Sequence, residues 1–374
     1  MPFYNDLRPE ADFAKRDYAR VFPTLSDAAR ARCIEGLLRL KPALSAQIPQ
    51  RRSETNLLIA SWNLKEFGHT KQRLPEAYFY IAEILAHFDL IAVQEIKSGL
   101  YDLDVLMRLL GPNWRYLIND ITEGAAGNSE RSGYIYNTRR LRPSGLAGEV
   151  GMWDEITHDS PLGLKQLKRA PYMTGFIAGW KRFAMVNLHL HPGQGADNVA
   201  LRAEEMRLLL RALEEKRKGL WSDNLVLVGD MNLYSRHDDP TVARIKAAGY
   251  RENAGLEGHD TNASQTEAYD RMFFRTGDYF RMAQTAAAGD SGAVFNPFDH
   301  VYRDVDVAIY RDDMLADYTG ARDLAGDDAT LLGYYKHPWR KNQISDHFPI
   351  VAEILIDDSQ SFLQDKYAAL RGGV

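Results

Sequence analysis

The chain has 374 residues, 45% hydrophobic and 26% charged, which excludes a disordered or fibrous polypeptide and supplies side chains for one large or two medium cores. Its 46 basic and 51 acidic side chains sum to −5, which argues against nucleic-acid binding through bulk positive charge but leaves room for a local basic groove. A single cysteine, Cys33, excludes internal disulfides and multi-cysteine zinc sites. No apolar run reaches the length of a membrane span, and residues 1–6 lack the basic-then-apolar order of a secretory signal, so the expected location is cytoplasmic.

Residues 1–54 are rich in Ala, Arg and Leu. Apolar residues at helical spacing over 28–40, after an N-cap at Ser26, predict a helix that stops at Pro42 and Pro49, within a helical N-terminal extension. From Asn56 the pattern changes to short apolar or β-branched runs at 57–62, 90–94, 132–136, 182–189, 224–228, 272–274, 305–310 and 349–356. Amphipathic helices are expected at 75–86 and 200–216; mixed Arg and Glu on the second read as a surface helix without a substrate role. Stretches 124–128, 193–198 and 286–292 read as loops. Strands alternating irregularly with helices predict an α/β sandwich of mixed sheets over 55–357, followed by a tail, 358–374.

The informative residues sit where apolar runs stop, the place at which a scaffold offers side chains to a shared cleft. One run ends in Trp62-Asn63, one in Gln94-Glu95, one in Asn187-Leu188-His189, and one in Gly229-Asp230-Met231-Asn232; Ser345-Asp346-His347 precedes the last. Singly, such residues are ordinary turn formers. Glu95 is different, because a carboxylate closing a continuous apolar run is costly unless paired or metal-bound.

Taken together, in this order, these fragments resemble the endonuclease/exonuclease/phosphatase superfamily, with its deoxyribonuclease I-like fold: a four-layer sandwich of two mixed sheets packed face to face with flanking helices. Further matches are similar to the nuclease branch. Asn128-Ser129-Glu130-Arg131 precedes one strand, Ala268-Tyr269-Asp270-Arg271 precedes another, and Arg169-Ala170-Pro171 stands where the family has a phosphate-binding arginine. That branch carries a tyrosine just before the Glu-Arg pair, whereas here Ser129 adjoins Glu130, and Tyr134 reads as a strand residue.

The resemblance implies a phosphodiester hydrolase, which needs an activated water, neutralised phosphoryl charge and help for the leaving alkoxide. Glu95 is the leading Mg²⁺ ligand, with Asn63 and Asp346 completing or flanking the site and Mn²⁺ or Ca²⁺ as substitutes. Asp230 would orient or deprotonate the water, and Asn232 would hydrogen-bond the phosphate or the nucleophile. His189 paired with Glu130, and His347 paired with Asp270 or with the competing Asp306, would donate protons or stabilise phosphate. Arg169 would bind phosphate.

The segment from Arg303 to Gln343 is longer than the nuclease pattern requires. It contains Tyr334-Tyr335-Lys336-His337-Pro338-Trp339-Arg340-Lys341, whose Lys336, Trp339 and Arg340 are expected to grip a nucleic-acid strand by stacking and charge. The leading expectation is a Mg²⁺-dependent nuclease with a DNA or RNA substrate. An inositol-phosphate or phospholipid phosphatase is the alternative, and a catalytically silent binding protein is a third reading.

Overall fold

The computed structural model describes residues 2–13, 20–52, 54–68, 73–121, 129–217, 219, 223–234, 239–287 and 289–371; the expected loop 124–128 lies outside them. In chain order the strands are β1 Asn56–Phe67, β2 Leu90–Lys97, β3 Trp114–Ile118, β4 Glu130–Asn137, β5 Arg142–Glu149, β6 Tyr172–Ala178, β7 Lys181–His189, β8 Leu225–Asp230, β9 Arg251–Glu252, β10 Asp270–Arg275, β11 Gly292–Val294 and β12 Ile350–Leu355. They form two six-stranded mixed sheets, ordered β11-β12-β1-β2-β4-β3 and β5-β6-β7-β8-β10-β9. In each sheet the central pair is parallel, β1 with β2 and β7 with β8, and the remaining pairs are antiparallel.

Strand alternation builds the layers. In β1, Leu57 and Ile59 face the other sheet and join Val226, Val228, Met185 and Ile350 in the inter-sheet core. Leu58, Ala60 and Trp62 point the opposite way, into a cluster with the helices Asp27–Gln47, Pro75–Leu85 and Tyr101–Leu110. Leu225 and Leu227 of β8 likewise pack outward with the helix Ala196–Arg217. The expected four-layer sandwich is the observed fold. Its parallel central pairs set the carboxyl ends of β1 and β2 beside one another, and those of β7 and β8 beside one another.

Three expectations change. The first helix runs through Pro42 to Gln47; the carbonyl deprived of a partner belongs to Leu38, a residue 66% exposed, where water can serve it. Its Cys33, Leu37, Leu40 and Leu44 are buried with residues of the helix Pro75–Leu85, so this N-terminal segment forms part of the outer layer. Residues 305–310 are not a strand but part of the 3₁₀ helix Asp304–Tyr310, because the Asp306 carboxylate accepts from the Arg303 backbone N–H at 3.0 Å and closes a turn. The helix spanning 200–216 is not merely a surface helix. Arg202 is fully buried and donates to the carbonyls of His191 and Gly193, while buried Glu205 accepts from the N–H groups of Lys168 and His191.

Candidate active site

The four parallel strand ends and the turn before β12 meet around one carboxylate oxygen. Asp230 Oδ2 lies 3.1 Å from Asn63 Nδ2, 3.4 Å from His189 Nε2 and 3.7 Å from His347 Nε2. The other oxygen, Oδ1, accepts the backbone N–H of Asn232 at 2.9 Å, an Asx turn that holds the carboxylate in place. Gly229 makes this geometry reachable. Its φ is +135°, and a Cβ there would stand 2.1 Å from the Leu188 carbonyl oxygen of β7. Gly229→Ala is therefore expected to destabilise the fold by more than about 2 kcal/mol, read as a lowered urea midpoint.

Glu95 reaches the cluster through a kink. Regular alternation would send it outward with Val93, but its φ of +60° and a register shift after Val93 turn it toward β1. There Oε1 accepts from Asn63 Nδ2 at 2.8 Å and Oε2 from the Glu66 N–H at 2.9 Å. Gln94 stays between the sheets, donating to Asn187 Oδ1 at 2.6 Å, and Asn187 in turn ties down the carbonyls of Val93 and Gly133.

Each imidazole has an acidic partner. His347 Nδ1 is 2.8 Å from Asp270 Oδ2, whose orientation is set by a 2.8 Å bond from Thr261 Oγ1. Asp306 is occupied with Arg303, so Asp270 is the partner that the structure supplies. Burial alone would lower the His347 pKa, yet the carboxylates of Asp270 and Asp230 raise it well above the ordinary imidazole value. His189 Nδ1 is 3.3 Å from Glu130 Oε2. Burial works against the charge of Glu130, but His189, Arg169 and Lys97 outweigh it and draw its pKa down to about 2. Arg169 Nε donates to Glu130 at 2.9 Å, while its Nη1 is buried without a protein partner.

The expected metal ligands are arranged differently from the expectation. Asn63 turns its amide nitrogen to Glu95 and Asp230, and its oxygen accepts from the Lys65 N–H, so as oriented it offers no oxygen between those carboxylates. Asp346 Oδ2 is paired with Lys65 Nζ at 3.1 Å, and burial, which opposes its charge, is outweighed by His347 and Lys65, which hold its pKa down. The ligand atoms that do converge, within 4.8 Å of one another, belong to Glu95, His189 and Asp230. Two carboxylate oxygens facing each other suit a hard divalent cation.

The expected substrate loop also divides. Trp339 is 1% exposed, its ring packed 5.8 Å from Tyr302, 5.2 Å from Tyr310 and 5.7 Å from Tyr335; it is core, and no base can stack on it. Lys336 and Arg340 both pair with Asp304, at 2.7 and 2.6 Å, which cancels much of the basic character expected there. Tyr134 is likewise buried between the sheets, with its hydroxyl on the carbonyls of Tyr172 and Met185, and does not replace the missing tyrosine. Lys65, Lys97 and Thr261 were not among the expected residues. Lys65 carried one signal, its place two residues after Asn63 at a strand end; Thr261 carried none, because a loop brings it to Asp270. A cavity of about 950 Å³ between Phe3, Val21 and Trp114 touches none of these groups.

Residues 60–347 match the Endonuclease/Exonuclease/phosphatase family. The chain belongs to that family. It is 25% identical over 302 residues to the deoxyribonuclease of Thioalkalivibrio sp. (strain K90mix), covering 79% of this chain and 70% of that protein. It is 26% identical over 231 residues to deoxyribonuclease-1 of Rattus norvegicus, covering 58% and 75%. An endonuclease/exonuclease/phosphatase family protein from Bacteroides thetaiotaomicron has a similar fold, with a TM-score of 0.50 at 17% identity over 82% of this chain and 99% of that one. With the family comes the expected enzyme class, a phosphodiesterase-type hydrolase. No helix among the described residues is long and apolar enough to cross a membrane.

Proposed function

We propose that this family member is a divalent-cation-dependent nuclease that hydrolyses phosphodiester bonds of DNA or RNA. The observation that carries the reading is the convergence on Asp230 Oδ2 of an amide and two imidazoles, each imidazole backed by its own carboxylate. The likeness to deoxyribonucleases supports the nucleic-acid substrate.

Glu95 and Asp230, with His189 at their edge, would hold the cation, Mg²⁺ by its preference for oxygen donors and Mn²⁺ or Ca²⁺ as substitutes. When bound, such an ion supplies Lewis-acid polarisation of the phosphate. Asp230 takes the role of orienting the attacking water and drawing off its proton. His347, kept charged by Asp270, has Nε2 on the Asp230 side and donates a proton from that atom to the phosphate or the leaving oxygen. His189 is held in one orientation by Glu130 and presents Nε2 to the same space. Arg169 is fixed through Nε, which leaves its unpartnered Nη1 for a phosphate oxygen. Asn232 Nδ2 already donates to the Leu190 carbonyl at 3.0 Å, so its part is to hold the turn below Asp230.

Purified protein incubated with plasmid and with single-stranded DNA or RNA plus Mg²⁺ is expected to cut at least one of them. Glu95→Ala, or excess EDTA, is expected to abolish the cutting. No cleavage under Mg²⁺, Mn²⁺ or Ca²⁺ rejects the reading. The phosphatase alternative drew on Lys336, His337, Arg340 and Lys341; Asp304 offsets one of the two charges of Lys336 and Arg340, and release of inorganic phosphate from an inositol polyphosphate with nucleic acid left intact would favour that alternative.

A further inference from the structure

We propose that the groove between the loop at 261–267 and the segment at 296–305 is a second substrate subsite, taking the base and sugar of a nucleotide that flanks the scissile phosphate. The proposal rests on the nuclease reading above. The groove has a volume of about 450 Å³ and is lined by Ala263, Gln265, Asn296, Asp299, Val305 and Arg340, among others.

Its position ties it to the reaction centre. Ala263 N–H donates to the Asp346 carbonyl at 2.8 Å, Phe348 N–H donates to the Thr261 carbonyl at 2.6 Å, and Asn262 pairs with His347 as an antiparallel bridge. One wall of the groove is thus stitched to the residues that flank and include the catalytic imidazole. Thr261, in the same loop, orients Asp270. The opposite wall belongs to the long segment between β11 and β12 and ends at Arg340, six residues before Asp346.

The lining chemistry selects among the parts of a nucleotide. Arg340 is 8% exposed; its Nη1 reaches Asp304 and the Tyr302 carbonyl, but Nε has no partner, which is costly in a buried guanidinium unless a ligand supplies one. Asp299 on the same wall repels a phosphate, whereas Asp304 is spent on Lys336 and Arg340. A base suits the site, because it brings ring acceptors for an N–H, exocyclic donors for a carboxylate and apolar faces for Val305, which is 74% exposed. Gln265 is held at a φ of +54°, a strained conformation for a residue with a side chain, and stands exposed at the rim.

The test is binding of a fluorescein-labelled single-stranded oligonucleotide by anisotropy, in EDTA so that nothing is cut. Val305→Trp fills the groove from an exposed position, and Gln265→Ala removes an amide from its rim, so neither threatens the fold. Both are expected to raise the Kd, roughly five- to tenfold for Val305→Trp, the loss of one base contact. The ratio of kcat/KM for the oligonucleotide to that for bis(4-nitrophenyl) phosphate is expected to fall by a similar factor. Unchanged Kd in both variants, or a wild-type protein that binds no oligonucleotide, overturns the subsite. Cleavage by wild-type protein with Kd unaltered by either substitution removes the subsite and keeps the nuclease. Binding weakened by Val305→Trp without cleavage under any cation keeps the subsite and removes the nuclease.

Discussion

Asp230→Asn is expected to lower kcat/KM for phosphodiester cleavage on the order of 10³- to 10⁴-fold while leaving the fold intact. Asparagine has nearly the same shape as aspartate, and its amide oxygen can still accept the Asn232 N–H that fixes the turn. What disappears is one negative charge at the point where Asn63 and both imidazoles converge. Without it the water loses its proton acceptor, and Asn63 Nδ2, which donates to Oδ2, meets a competing amide N–H, as do the two imidazoles that face the same atom. Three to four orders of magnitude correspond to about 4–5.5 kcal/mol of barrier, more than a single neutral hydrogen bond supplies. Kinetics on a fluorescent oligonucleotide, with thermal melting as the control for folding, decide the matter. A rate within tenfold of wild type at an unchanged melting temperature would remove Asp230 from the chemistry.

Most of the residues around Asp230 were legible in the sequence because each stands where an apolar run gives way to a polar residue, and the parallel central strands bring those ends together. Other features escaped that logic. The run Asp304-Val305-Asp306-Val307 alternates like a strand, but the Asp306 carboxylate accepts the Arg303 N–H and closes a local turn, and Val305 and Ile309 end up exposed four residues apart as on a helix. The cluster at 334–341 mixes aromatic and basic residues, a pattern that fits a binding loop and a buried plug equally well; which one it is depends on Tyr302, Tyr310 and Asp304, more than twenty residues away. Strand β5 escaped for the opposite reason. Its sequence, RPSGLAGE, is barely apolar, because it lies at a sheet edge and most of its residues are at least partly exposed. Buried Arg202 and Glu205 were unreadable for a related cause: their partners are backbone groups of loops, which leave no mark in residue identity.

The same distinction between a charge that faces water and one that is locked inside leads to the largest expected stability effect, at Glu252. Arg271 and Glu252, on the adjacent strands β10 and β9, are both 1% exposed and joined by two parallel bonds, Nε to Oε1 and Nη2 to Oε2. Glu252→Ala leaves the guanidinium buried without a counter-charge and is expected to cost about 3–5 kcal/mol, read from urea unfolding. The paired replacement Arg271→Met with Glu252→Leu removes both charges and is expected to recover most of that loss, since desolvating the ion pair offsets much of its attraction. A Glu252→Ala protein within 1 kcal/mol of wild type, or a double variant less stable than the single, would contradict this account. The consequence reaches the active site through one peptide bond. Arg271 follows Asp270, and the β10–β8 register sets Asp270 directly opposite Asp230, so the buried pair at the sheet edge helps hold the two carboxylates that flank His347.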